Sequence, residues 1–531
     1  MKKPPHPALS PKGGEGFSLQ RALLCRYQFS KGERGFCRSG FRCADSHAQR
    51  GGGVVGQGLS RRVFLGRTSL GLGALSLATL FSSSSAGGAN QPSLGITPAV
   101  DGLPHFAPRA RRVIFLCMAG GPSHFETFDH KPKLAEMHGQ PMPDSFTAGQ
   151  PIAQLQGQQL VCQAPLFAFR RYGASGLEIS EELPHIGGVA DQLCIVRSLH
   201  TDQINHDPAH TVMNTGTSIS GRPSMGSWVL YGLGSEAAEY PGFVVLTSIS
   251  KDGRNPQPIA TRQWHSGFLP GRYQGVAFSS QGDPVHYLGN PPGVTREQQG
   301  SLVSAIRQLD TLRNEALANS EVETRIAQYE MAFRMQVSVP ELMDIADEPR
   351  HVLDLYGAEG ADGSFAYNCL LARRLAERGV RFIQLYHRDW DHHNDLVKFF
   401  RVCARDCDRA TAGLIRDLAQ RGMLDETLIV WGGEFGRTPM AQSDKGGVGR
   451  DHHMRAFSMF LCGGGIRGGI AHGRTDELGY HVAENAVHVN DLHATMLHLL
   501  GIDHTRLVFR YQGRDFRLTD VAGNVVRPIV A

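Results

Sequence analysis

Three short segments of this 531-residue chain concentrate acids and imidazoles. They are His387-Arg388-Asp389-Trp390-Asp391-His392-His393-Asn394-Asp395, Glu434-Phe435-Gly436-Arg437-Thr438 and Arg450-Asp451-His452-His453. Carboxylates and imidazoles delivered from separate segments are what a divalent metal site requires, because a hard or borderline cation takes oxygen and nitrogen ligands that converge from several directions. One such cluster is ordinarily a set of solvated or capping residues; three of them beside apolar runs favour a metal site. The candidate ligands are Asp389 or Asp391, His393, Glu434, and His452 or His453. A fourth segment, Asn205-His206-Asp207-Pro208-Ala209-His210-Thr211, reads as a helix start whose free N–H groups and dipole favour an anion beside His206. Asp207 as cap and Pro208 at the first helical position account for the same residues without a ligand. Arg437 and Arg450 are forked donors suited to a sulfate, phosphate or carboxylate.

The elements that must position these residues follow from the apolar pattern. Arg112–Met118 (RVIFLCM) is a continuous apolar run broken by Gly120, Gly121 and Pro122, as in a strand covered on both faces. Similar runs recur at Gln192–Arg197, Phe243–Leu246, Val380–Tyr386, Thr427–Trp431 and Phe457–Cys462. The first two clusters follow such runs and the third precedes one. Phe365, Cys369, Ala372 and Ala376 repeat at helical spacing and stop at Gly379. Leu396–Arg421, ended by Gly422, and Val489–Leu500 are further helical stretches. Alternating strand and helix predict an α/β fold with a mainly parallel sheet and helices on both faces, and ligands at the carboxyl ends of its strands. Ser301–Val337 is a charge-laced helical pattern, two helices broken near Asn319, read as a helical insertion over about 295–345. One domain over 111–520, with a tail at 521–531, accommodates all of this.

Composition excludes fibrous, disordered and polytopic membrane classes, since 41% of residues are hydrophobic and 20% charged. The net charge of +4 is unevenly placed: residues 1–86 hold 13 Lys/Arg and three acids, leaving the remainder near −6. Residues 56–89 contain SRRVFLG, an uncharged apolar stretch from Thr68 to Phe81, and small residues, the order of a twin-arginine export signal. About 14 apolar residues at ~1.5 Å each reach ~21 Å, short of the ~30 Å hydrocarbon core, so a transmembrane anchor fits less well. The expected location is periplasmic or extracellular after cleavage near Ala86–Ala89, with the twin-arginine translocation machinery as partner, no stable membrane span and no nucleic-acid partner. Residues 1–55, rich in Gly, Pro, Ser and Arg, read as a spurious or disordered extension, and 90–110 as a linker. Seven of ten cysteines follow the leader without a CxxC zinc or CxxCH haem pattern, and Cys403 and Cys407, four apart on a helix, suit packing.

The order of GGPSH after the first strand, NHDPAHTVMNTG, WDHH, GGEFGRTP, GRDHH and NDLHATMLHLLGID resembles the exported family called domain of unknown function 1501, itself similar to sulfatases and alkaline phosphatases. The resemblance spans about residues 110–520 and implies an alkaline phosphatase-like fold. Against the sulfatase signature C-x-P-S-R followed by T-G, Pro208 takes the proline place and Thr215-Gly216 the T-G. His206 then falls where sulfatases carry the Cys or Ser that becomes formylglycine, and His210 falls on their arginine. No aldehyde hydrate can form from histidine, so His206 is left as nucleophile, metal ligand or general acid. Asp389 with His393 repeats the Asp-x-x-x-His spacing of alkaline phosphatases, with Asp391 the competing choice. Glu434 stands near their later metal-binding Asp, and His452 or His453 near their last histidine. Asp491 falls at a place that usually caps a helix. The superfamily's Asp after the first strand is replaced by Ala119-Gly120-Gly121-Pro122-Ser123-His124, where Ser123, His124, Glu126 or Asp129 are the possible substitutes.

Two functions are therefore expected. One is an exported hydrolase, dependent on Zn, Ca or Mg, acting on a small or polymeric anionic sulfate or phosphate ester, with His206, His210 and Arg437 catalytic and Arg450, Ser123 and His124 binding substrate. The other is a non-catalytic secreted binding or assembly protein that retains the fold after losing the nucleophile.

Overall fold

The computed structural model describes residues 100–531 except 251–255, 283, 286–288, 291–292, 318–319 and 445–446, so the expected leader and its cysteines lie outside the described residues. Nine strands among the described residues form the main sheet: β1 (Arg112–Met118), β2 (Leu193–His200), β3 (Phe243–Thr247), β4 (Val276–Phe278), β5 (Phe382–His387), β6 (Thr427–Gly432), β7 (Phe457–Cys462), β8 (Ile470–His472) and β9 (Val487–His488). Their order across the sheet is β8-β2-β7-β6-β1-β5-β3-β4, with β9 also paired to β2. All pairings are parallel except those of β7, which runs antiparallel to both β2 and β6. The sheet is thus mainly parallel, and its single reversed strand decides where the site forms.

Alternation along β1 shows why its sequence is apolar throughout. Ile114, Leu116 and Met118 enter one core, while Val113, Phe115 and Cys117 enter another on the opposite face. Each fully buried Leu, Ile or Phe contributes roughly 1.5–3 kcal/mol. The second core is covered by α1 (His206–Thr215), α2 (Met225–Leu233) and a C-terminal helix, Val489–Leu499. The charge-laced stretch forms α3 (Arg296–Leu317) and α4 (Ser320–Met343), and the expected break near Asn319 lies outside the described residues. The first core is covered chiefly by α5 (Phe365–Glu377) and α6 (Leu396–Gln420), which precede α7, the Val489–Leu499 helix. Along α6, Phe400, Cys403, Cys407, Leu414 and Leu418 turn inward at helical spacing. All seven described cysteines are buried thiols, with no disulfide among the described residues. Asp491 caps α7, its carboxylate accepting the His488 N–H at 2.9 Å while the His488 ring accepts from Asn490 N.

Candidate metal centre

Five strand ends meet at one edge of the sheet. The carboxyl ends of β1, β2, β5 and β6 lie there, and so does the amino end of β7, because β7 runs backwards between β2 and β6. The segment after β2 turns into α1, which places His206 and His210 one turn apart on one face. The helix starts at His206 with Asn205 ahead of it, not at Asp207-Pro208 as expected, and Gly216 in the left-handed conformation closes it. Asp207 does not cap the helix; its carboxylate pairs with Arg262 at the surface. The segment after β5 supplies Asp391 and His393, and that after β6 supplies Glu434 and Arg437. Gly436–Arg437 pairs antiparallel with His452–His453, so the last two clusters form one ribbon. Gly120, at the end of β1, has a positive φ and lies so close to Asp391 N that an added Cβ would stand 2.4 Å from it.

The donor atoms converge on the Asp391 carboxylate. Its Oδ1 lies 3.3 Å from His206 Nε2, 2.9 Å from His393 Nε2 and 3.4 Å from His452 Nε2, and the last two nitrogens are 2.9 Å apart. Each of these imidazoles has its other nitrogen committed to an acceptor. His206 Nδ1 donates to Glu434 Oε1 at 2.6 Å, His452 Nδ1 to the Ile204 carbonyl at 3.0 Å, and His393 Nδ1 to Gln442 Oε1 at 2.6 Å. The Gln442 amide is oriented by its own bond to Gln154 Oε1 at 2.9 Å, so its oxygen faces His393. All three Nε2 lone pairs are thereby aimed at one point, the tautomer that metal-binding histidines adopt. Four ligands at ~2.05 Å in a tetrahedron stand about 3.3 Å apart; the three separations from Asp391 Oδ1 and that between His393 and His452 span 2.9–3.4 Å, and all four donor atoms lie within 4.8 Å of one another. The set of three imidazoles and one carboxylate fits a zinc-class cation better than Ca or Mg, which demand oxygen ligands.

A second group, His206 Nδ1, Glu434 Oε1 and His210 Nε2, shares His206. Here the 2.6 Å separation of His206 from Glu434 is a hydrogen bond and too short for two ligands on one ion, whereas His210 Nε2 lies 3.4 Å from the same oxygen. Glu434 is wholly buried and both its oxygens accept the Gly120 N–H, at 3.1 and 3.2 Å. Burial raises the Glu434 carboxyl, but His210 and His206 outweigh it and bring it down to about 2. Burial also acts against a charged His206, yet Asp391 and Glu434 on its two sides push it up to about 9. Asp391 is held well below the usual carboxylate range, its burial outweighed by the Arg437 guanidinium and the three imidazoles. His452 is lowered to about 4, chiefly by burial. Asp391 is 23% exposed and His206 16%, so the cluster opens to solvent on that side.

Several expected site residues are placed elsewhere. Arg450 is fully buried and does not reach the cluster; it binds the buried Glu126 carboxylate at 2.8 Å and the carbonyls of Gln163, Ala164 and Thr438. It is a framework residue and not an anion clamp. Arg437 does reach the cluster, with Nη2 2.6 Å from Asp391 Oδ1, but its remaining donors go to the carbonyls of Gly120, Gly121 and Arg450. His453 points to the opposite face of the ribbon, with Nε2 2.5 Å from the Tyr480 carbonyl. His124 lies against the Gly479 carbonyl at 3.2 Å and Ser123 is buried beside it, both outside the converging set. The Asp389 carboxylate is buried and is not among the converging atoms; Asp391 takes that place. Asp129 pairs with Lys131. Three glutamines that sequence reasoning missed orient the site: Gln442 and Gln154 at His393, and Gln257, which donates to Asp391 Oδ2 at 2.7 Å. Neutral amides without a spacing pattern leave no sequence signal.

A family model described as Protein of unknown function (DUF1501) matches residues 110–530. The chain belongs to this family. None of the curated proteins matches it. Solved structures similar in outline include the PsFucS1 sulfatase from Pseudoalteromonas sp., 12% identical over 74% of this chain and 68% of that one, with a TM-score of 0.31. The lipoteichoic acid synthase LtaP from Listeria monocytogenes is 11% identical over 77% and 76%, with a TM-score of 0.31. The C-terminal periplasmic domain of EcEptC from Escherichia coli, in complex with Zn, is 8% identical over 80% and 96%, with a TM-score of 0.32. Likeness this remote carries nothing about chemistry. Among the described residues no helix is long and apolar enough to cross a membrane.

Proposed function

We propose that the chain is an exported, metal-dependent hydrolase acting on a sulfate or phosphate ester. The observation that carries this reading is the convergence of His206, His393 and His452 Nε2 on Asp391 Oδ1, with every Nδ1 already engaged. His206, Asp391, His393 and His452 would hold the cation, which when bound polarises an ester oxygen and lowers the pKa of water. Glu434 fixes the His206 ring and increases its basicity as a donor. Arg437 offsets the Asp391 charge and orients its carboxylate, and Gln257 and Gln442 lock the remaining ligand rotamers. With its Nδ1 on Glu434 and its Nε2 on the cation, His206 would serve as ligand and not as covalent nucleophile. Export by the twin-arginine route rests on Arg61, Arg62 and the apolar stretch after them.

One observation favours a second reading, a secreted binding or assembly protein. Four protein ligands is the closed count of structural zinc sites, whereas catalytic sites usually keep a position open. The two are separated by measuring bound metal in the purified protein and then assaying aryl sulfate and aryl phosphate esters for the wild type and His393→Ala. Stoichiometric zinc with turnover that His393→Ala abolishes is the expected result; stoichiometric zinc without turnover of either ester class selects the binding protein.

A further inference from the structure

We infer that α6 carries a second binding surface, a basic groove that takes an anionic polysaccharide. The groove lies on the outer face of the helix, and it stands whether or not the metal centre turns over an ester. Lys398, Arg401, Arg405 and Arg409 recur at intervals of three, four and four residues, so they share one face, opposite the one that Phe400, Cys403 and Cys407 bury. All four are exposed. From the first to the last the helix rises about 16 Å, at ~1.5 Å per residue. The stripe contrasts with the rest of the chain, because the sequence beyond the leader sums to about −6.

Two hollows run beside the stripe and share Arg401 and Arg405. The larger, of about 720 Å³, falls within the ~300–1,000 Å³ range of ligand clefts. Leu166, Leu396, Val402 and Val448 give it apolar walls, and Lys398, Arg401 and Arg405 bring cations to them. The smaller, of about 270 Å³, extends the same surface to Arg409. Nearby carboxylates do not cancel these charges. Asp395 is the one carboxylate that lines the larger hollow among the described residues. In the smaller, Asp408 is spent on the His185 and Ile186 N–H groups, at 2.9 and 2.7 Å. Glu182 meets Arg401 at 3.0 Å, but that arginine side chain stays 59% exposed, and a surface pair of this kind is weak enough to exchange for an incoming anion. Lys398 lies over the Phe399 ring and Arg409 donates to the neutral Asp354 carbonyl, contacts that leave both charges uncompensated. Apolar walls beneath a row of cations call for a ligand with both characters along its length. A polysaccharide bearing sulfate or phosphate groups has them, since its rings present C–H faces and its substituents present oxyanions that guanidinium forks bind. Nucleic acid fits less well, because bases stack on aromatic rings and no Phe, Tyr or Trp lines either hollow among the described residues.

The test is calorimetry with dextran sulfate, phosphorylated dextran and unmodified dextran, at low and high salt. It compares the wild type with Lys398→Ala/Arg401→Ala/Arg405→Ala and with the charge-retaining Lys398→Arg/Arg401→Lys/Arg405→Lys, and metal content on every sample shows that the fold is intact. The wild type should bind an anionic dextran and not the unmodified one, with affinity that falls as salt rises. The alanine variant should bind roughly 10- to 100-fold more weakly, a factor of about two to five for each exposed cation, and the charge-retaining variant should keep most of the affinity. Preference for the sulfated or the phosphorylated dextran distinguishes the two esters, and either supports the groove. Equal affinity in the wild type and the alanine variant, or no binding of either anionic dextran, overturns the assignment and leaves the metal reading to its own assay. Duplex DNA bound as tightly as dextran sulfate also overturns it, since the stripe would then attract any polyanion.

Discussion

Replacing Glu434 by glutamine tests how the centre is built. Glu434 accepts the His206 Nδ1 proton at 2.6 Å and is held by Gly120 N–H on both oxygens. A glutamine of the same shape can keep its carbonyl oxygen toward His206 Nδ1 and the Gly120 N–H, so the losses are the charge and the second acceptor for that N–H. Charged acceptors behind a metal-binding imidazole raise its donor strength, and removing one typically costs 10- to 100-fold in metal affinity, about 1.4–2.7 kcal/mol. Because Glu434 is wholly buried, little solvent screening reduces that figure. Zinc affinity is read by competition with a chromophoric chelator near neutral pH, and stoichiometry by elemental analysis after dialysis. One zinc per chain in both proteins, bound at least tenfold more weakly by Glu434→Gln, is expected. Affinity unchanged within twofold would refute the role of Glu434 behind His206. A fall from two ions to one would show that Glu434 is itself a ligand and that the 2.6 Å contact was misread as a hydrogen bond.

Two further outcomes concern stability. Arg450→Met leaves the Glu126 carboxylate buried with only the Leu166 N–H at 3.2 Å, so it should cost about 3–5 kcal/mol and lower Tm by several degrees. Glu126→Leu combined with Arg450→Met should recover most of that loss in thermal melts, and failure to do so would show that the arginine's carbonyl contacts carry the stability. His124 and His493, both wholly buried, are pushed down to about 4, chiefly by burial. Their folded pKa lies below the unfolded value of 6.5, so their contribution is full above pH 6.5 and is lost as pH falls from 6.5 to about 4, by roughly 3 kcal/mol each at most. Urea denaturation across that window should show stability falling with acidity, and His493→Gln should flatten the slope by one proton.

Apolar runs made the sheet legible in the sequence. β1 and β7 have the bounds their runs imply, because strands buried on both faces interrupt apolarity only at their ends. β2 runs on to His200, three residues past the expected Arg197, since pairing with β7 and β9 carries Ser198 and His200 that an apolar count drops. The choice between neighbours was not legible. His452 and His453 are both imidazoles in a two-residue ribbon, and only the parity of that ribbon sends one to Asp391 and the other to the Tyr480 carbonyl. Asp389 and Asp391 differ only by the path of a loop. Arg450 looked like an anion clamp because its partner, Glu126, is 324 residues away and no local pattern joins them.

The reversed strand explains how a site of this composition can form at all. Ligands of a parallel sheet ordinarily come from loops that follow strands. His452 precedes β7, and had β7 run parallel to its neighbours, that segment would sit at the opposite edge of the sheet, about 20 Å away for six residues at ~3.3 Å each. Running backwards, β7 sets Phe457 beside Leu199 of β2 and Phe460 beside Trp431 of β6, so its first residues emerge where β2 and β6 end. The chain leaves β6, forms one strand of the Gly436–Arg437 ribbon, passes through a second ribbon of Gln442–Asp444 with Gly447–Gly449, returns as His452–His453 and enters β7. Glu434, Arg437 and His452 are fixed by that excursion, while β2 and β5 bring His206, Asp391 and His393 from either side. Inverting one strand therefore brings a ligand that precedes a strand to the edge where its neighbours end, and it packs the centre against three adjacent strand ends whose positions the two cores set.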